Sequence, residues 1–207
     1  MKILNVLLFS IVSSFVHSQE HLYPETSIYA RMQVTHNYHL FVTKAFEAAY
    51  ANDVILKVIT IPSFDSESAL FIKKIENQYS LILLEAEIHY WQIYSNNVPV
   101  NPIEKCNISI PNQLAIQLEK IWVSELLKTK YSSNNRLGMD GTTYHFSTPR
   151  KHDNSIFLAP MAGKTWSPDQ GTRMGELVNL IHELKQTCIA NGNTNKVKQV
   201  VDKLVVK

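Results

Sequence analysis

Three runs of apolar and β-branched residues, separated by only a few polar positions, most constrain what this chain can become. Val54 to Ile61 carries a single charge, Lys57, and ends at Pro62. Ala69 to Ile75 and Tyr79 to Ile88 follow, joined by the polar turn Glu76-Asn77-Gln78. Turns this short connect only antiparallel neighbours, so the middle of the chain predicts a meander or hairpin sheet. In the third run Ile82, Leu84, Ala86 and Ile88 alternate with Leu81, Leu83, Glu85 and Glu87. One strand face is therefore wholly apolar, and the other turns acidic at its far end.

Helical spacing appears on either side of these runs. Phe41, Val42, Ala45, Phe46 and Ala49 predict a helix over His36 to Asn52, and Leu114, Leu118, Ile121, Trp122 and Leu126 another over Asn112 to Tyr131. Gln92 to Pro111, with Pro99, Pro102 and Pro111, reads as a loop, and Ser132 to Gly138 as a second. Two short strands are expected at Thr142 to Ser147 and Ile156 to Met161. Ser167-Pro168-Asp169-Gln170 has the form of a capping box with proline at the first helical position. Gly171 and Gly175 weaken that start, so Thr172 is the alternative first residue. The helix so opened puts Met174, Leu177, Val178, Ile181, Leu184 and Cys188 on one stripe, and Gly192 supplies a stop.

The order helix, three strands, helix, two strands, helix implies an α+β fold. We expect a single domain, with a mainly antiparallel sheet of about five strands and three main helices packed on one face. That domain spans residues 19–192. The tail, 193–207, sets Val197, Val200, Val201, Leu204 and Val205 against Lys196, Lys198, Lys203 and Lys207. It is a basic amphipathic segment, suited to docking on the domain or to a membrane surface or partner.

Residues 1–18 have the form of a secretory signal peptide. Lys2 is followed by a mostly apolar stretch from Ile3 to Val16, and Val16-His17-Ser18 places a small residue before a cut at Gln19. The stretch is short for a membrane span, and no later run approaches one. We therefore expect a soluble exported protein without an integral membrane segment. Its removal takes one lysine and no acid, so the formal charge falls from +2 to +1. That balance carries no electrostatic footprint for nucleic acid. Cys106 and Cys188 are the only cysteines, and in an oxidising compartment an even count favours a bridge between them.

No motif of high specificity for catalysis, metal or cofactor is present, so no catalytic residue, metal ligand or cofactor is assigned. His36 and His39 share a helix face, but ligation would require Glu85, Glu87 or His89 to join them through folding. Glu85 and Glu87 project from one strand face and suit a solvated end or an ion pair with Lys57, Lys73 or Lys74. In Gly138 to Phe146, Asp140-Gly141 is turn chemistry: Asp140 is placed to bond the backbone at Thr142, and Gly141 to take a positive φ. Asp140, Tyr144 and His145 are candidate binding residues, with Tyr144 and His145 on opposite strand faces. Trp122 belongs to the core. Trp91 and Trp166, near element ends, are candidate groove residues together with Tyr90 and Tyr94. Asn107-Ile108-Ser109 is a formal glycosylation sequon.

Three strings, Ile61-Pro62-Ser63-Phe64 followed by Glu67, Gly138 to Phe146, and Gly163-Lys164-Thr165-Trp166-Ser167-Pro168, together resemble uncharacterised secreted proteins of Gram-negative bacteria. The resemblance implies a periplasmic or secreted location and carries no activity. Small size, export, one bridge and aromatic loops lead us to expect a non-enzymatic protein-binding protein, immunity- or inhibitor-like, with a toxin or cell-wall hydrolase as partner. The alternatives are a secreted hydrolase with a dispersed site near Asp140, His145 and Glu85, and a small-ligand carrier with a deep apolar cavity.

Overall fold

The computed structural model describes residues 20–25, 33–96, 101–131, 140–149, 161–190 and 192–206. The proposed leader, the expected loop Ser132 to Gly138 and the expected strand start at Ile156 lie outside them. Helix α1 (Gln33–Ala45) and a 3-10 turn (Glu47–Tyr50) precede β1 (Val54–Pro62), β2 (Ser68–Ile75), β3 (Gln78–Glu85) and β4 (Ile103–Ile110). Then come α2 (Asn112–Leu127), β5 (Thr142–Thr148), β6 (Met161–Trp166), α3 (Arg173–Ile189) and α4 (Asn195–Val206). The strands form one antiparallel sheet in the order β4-β3-β2-β1-β5-β6. The fold is an α+β single domain, with six strands where about five were expected.

The additional strand is β4, inside the expected loop Gln92 to Pro111. Glu104, Lys105, Asn107 and Ser109 are exposed on it, because β4 is an edge strand. Edge strands carry polar residues that read as loop in a sequence, and Pro102 and Pro111 bound this one. β3 ends at Glu85, short of the expected Ile88. Ala86 N–H then donates to the Glu67 carbonyl (2.8 Å), and a 3-10 turn forms at Tyr90–Gln92. The last strand begins at Met161, where the expectation ended. The β2–β3 turn is two residues long, with Glu76 at φ 54 as the tightest hairpins require.

The sheet is covered on both faces. Leu56, Val58, Leu70, Ile72, Leu81 and Leu83 share a core with α2, α3 and α4. Ile59, Ala69, Phe71, Ile82 and Leu84 share a second with Tyr38 and Val42 of α1, with Phe46 just after it, and with Tyr90. Three helices do pack on one face, but α4 is the third and α1 lies opposite. The reason is the apolar content of β1 to β3, whose successive side chains point to opposite faces and both need cover. In the tail, Val197, Val200, Val201 and Leu204 are buried, so α4 docks in the first core.

The expected capping box does not form. Ser167 turns the chain at φ 33, and Thr172 is the N-cap of α3, its hydroxyl accepting from Gly175 N–H at 3.0 Å. From there α3 crosses the strands. His182 lies at Tyr144 of β5, Lys185 at Thr60 of β1 and Ser68 of β2, and Cys188 at Leu81 of β3. Three residues of helix rise about 4.5 Å, close to the strand spacing of about 4.8 Å, so one turn spans roughly one strand. Buried Glu125 of α2 joins Arg173 of α3 at 2.6 Å and Lys128 at 3.0 Å.

Cys106 and Cys188 form the expected disulfide, with Cα atoms 5.8 Å apart. Cys106 is on β4 rather than in a crossing loop, so the bridge ties the edge strand to α3. Among the described residues no helix is long and apolar enough to cross a membrane. The bridge spans a sequence separation of 82. Replacing both cysteines with alanine should cost about 4 kcal/mol by the loop-closure relation. Urea unfolding with and without reductant measures this, and a loss below about 1 kcal/mol would refute it.

Candidate functional site

The described residues of the three strings singled out in the sequence meet at one end of the sheet, where β1, β3 and β6 finish and β2 and β5 begin. Ser63 is the first link. Its N–H and hydroxyl both donate to the Gly141 carbonyl (2.8 and 2.9 Å), and its Oγ accepts from Gly141 N–H at 3.0 Å. Ser167 is the second. Its Oγ accepts from Thr142 N–H at 2.8 Å, and its own N–H donates to the Thr142 carbonyl at 2.9 Å. Thr142 N–H is thus taken by Ser167, not by Asp140 as the turn chemistry suggested. Gly141 takes the expected positive φ of 154. The half-buried Trp166 packs so closely that a Cβ on Gly141 would lie 2.8 Å from the indole and also meet Ser167 Oγ.

Glu67 anchors the neighbouring corner. It is fully buried, and its carboxylate accepts from the Tyr38 hydroxyl and from Tyr90 N–H (2.8 Å), with His89 Nε2 at 3.4 Å. Burial, then the bond to Glu67, raises the Tyr38 phenol, which stays protonated and donating. This buried carboxyl, shared between Tyr38 and Tyr90, ties α1, the entry to β2 and the Tyr90 turn together. Above it the Trp91 ring packs against Tyr38 and Tyr94, with centroids 4.9 and 5.1 Å away.

Two polar clusters flank this end. On the α3 side, Lys185 Nζ donates to Ser68 Oγ (2.8 Å) and Thr60 Oγ1 (3.3 Å), and burial lowers the amine to about 8. Tyr144 Oη lies 3.3 Å from His182 Nε2. On the α1 side, His145 Nδ1 is 3.1 Å from each Glu25 oxygen, and its ring meets that of His39 with centroids 5.5 Å apart.

The candidate residues therefore separate. Asp140, Trp91 and Trp166 lie at this end, and Tyr144 and His145 lie just inside it on opposite faces. Glu85 pairs with Lys105 at 3.4 Å rather than with Lys57, Lys73 or Lys74. It is three strands from β5 and shares the face of Tyr144, so Asp140, His145 and Glu85 do not converge. His39 meets His145, while His89 serves Glu67. Among the described residues no group of three or more His, Cys, Asp or Glu is placed for a metal ion. Two surface depressions, of about 250 Å³ beside β2–β4 and about 380 Å³ on α2, include none of the candidate residues.

Sequence reasoning missed Phe64, Ser63, Glu67 and Lys185 as candidates. Phe64 is 81% exposed at the tip of the β1–β2 loop. Its signal was available: an aromatic between Pro62-Ser63 and Asp65-Ser66 sits in turn chemistry, where nothing can bury it. Ile88 and Trp91, each 46% exposed, extend apolar surface at the same end.

Compared with known proteins, the chain matches no family model, no curated protein and no solved structure.

The Gly141 contact has a direct consequence. Gly141→Ala should destabilise the protein by about 2 kcal/mol, through overpacking against Trp166 and the positive φ. Urea unfolding followed by tryptophan emission measures it, and a change under about 0.5 kcal/mol would show that the corner yields freely.

Proposed function

We propose that this chain is an exported, non-enzymatic protein-binding protein of immunity or inhibitor type. Its binding face is the loop end of the sheet, with Phe64 as the central anchor and Trp91 and Ile88 beside it. The observation that carries this reading is Phe64, 81% exposed on a loop fastened by Ser63 to Gly141. An exposed aromatic on a fastened loop loses little freedom on binding, and aromatic anchors entering a partner's pocket dominate interface energies. Such a knob suits an apolar cleft in a toxin or cell-wall hydrolase.

Export is supported by the leader-like residues 1–18 and by the Cys106–Cys188 bridge, a bond typical of oxidising compartments. The periplasm or the medium is the proposed location, in line with the resemblance to secreted proteins of Gram-negative bacteria. The intact mass of protein isolated from its host should correspond to a chain beginning at Gln19 and lacking two hydrogens. A mass that includes Met1 to Ser18 would refute export by cleavage.

The binding face is tested with the partner captured from the host's exported fraction. Phe64→Ala should weaken its binding by about 2 kcal/mol, roughly 30-fold, and Trp91→Ala by less. Thermal unfolding of Phe64→Ala should match wild type, because the ring has little to lose on exposure. Retention of full affinity by the Phe64→Ala, Trp91→Ala double variant, measured by calorimetry, would place the binding face elsewhere.

A further inference from the structure

The cluster Glu25, His39 and His145 takes no part in the proposed binding contacts, and it lies between α1 and the sheet. His39 is on α1, His145 on β5, and Glu25 in the N-terminal segment that pairs with β6 through Tyr23 and Lys164. His145 is held by both oxygens of Glu25 and meets His39 edge to face. We infer that this cluster is an acid-sensitive latch: protons taken up at the His39–His145 contact release α1 from the β5–β6 side of the sheet.

The groups facing His39 are His145 from β5, Glu25 from the N-terminal segment, Lys164 from β6 and His36 from its own helix. His145, Lys164 and His36 each disfavour a positive charge on His39, and only Glu25 favours it. Glu25 is already engaged by His145, so a proton arriving on His39 meets net repulsion in a half-buried site. Burial first, and then His145, pushes His39 down to about 4. A released α1 would return it to its ordinary value of 6.5. Docked α1 therefore binds fewer protons than free α1 between those values. Docking is at full strength above that window and weakens as pH falls through it. Burial alone would raise Glu25, but the charge and hydrogen bond of His145, together with the charges of Lys164 and His39, hold the carboxyl below its usual range. It stays ionised at about pH 5, and its own loss comes later and in the same direction.

The latch bears on the binding face because the residue just before His39 on α1 is Tyr38, which bonds Glu67 and packs against Trp91. Release of α1 removes that support from Trp91 while leaving Phe64 on its Ser63–Gly141 fastening. That consequence for binding rests on the proposed function; the latch itself does not.

The test is amide hydrogen exchange on the full chain at about pH 7 and about pH 5, corrected for intrinsic rates. Protection of α1 amides should fall about tenfold relative to β2 and α3 on acidification. His39→Gln, which cannot ionise, should hold α1 protection nearly constant across the same interval. His39→Phe provides a second, apolar variant should the amide disturb packing. Equal loss in α1, β2 and α3, or an acid response of α1 undiminished in both variants, would overturn the latch. Because no partner enters the measurement, failure of the binding proposal would leave this result standing.

Discussion

The two-sided burial of β1, β2 and β3 is the constraint on which the rest of this structure depends. A strand whose successive side chains are all apolar cannot leave either face in water. One face is covered by three helices, and the other needs α1 and the Tyr90 turn. The polar clusters follow from this. The two buried carboxyl side chains among the described residues sit where a covering element meets the sheet or a neighbouring helix, and each has partners there: Glu67 with Tyr38 and Tyr90, Glu125 with Arg173. A buried group with its partner removed is strongly destabilising, so such pairs fix where each element sits.

The two ends of the sheet are not equivalent. At the loop end, Ser63, Gly141, Thr142, Trp166 and Ser167 fasten three segments far apart in sequence. The fastening rests on side-chain hydroxyls and on a glycine that lets the indole approach. The outcome is a firm corner from which Phe64 projects. Rigidity beneath an exposed aromatic is what links the packing of this protein to the binding role proposed for it.

Much of the fold was legible along the chain. The meander β1–β3, helices α2 and α3, the bridge, Trp122 in the core and the opposite directions of Tyr144 and His145 all follow from local period or from counting cysteines. β4 was not legible, because an edge strand has one side in solvent and its polar residues mimic a loop. The capping signature at Ser167 misled because that hydroxyl was needed by Thr142 N–H, a group 25 positions earlier. Trp91, Trp166 and Asp140 come from three separate segments, and strand register is what places them at one end of the sheet. Nothing local marked Glu67 or Lys185 as buried polar centres, since their partners are chosen by strand register and by where α3 crosses.

By itself the sequence determined the local elements, the antiparallel connection of its central strands and the one possible disulfide. These depend on residues a few positions apart or on a count, and hydrophobic period and turn chemistry act at that range. Only the tertiary structure decided that α1 covers the face opposite the other helices, and that Ser63, Gly141 and Ser167 share one corner. It alone set His39 against His145. Such meetings are fixed by register across strands and by which apolar faces bury each other, and neither is written in any single segment.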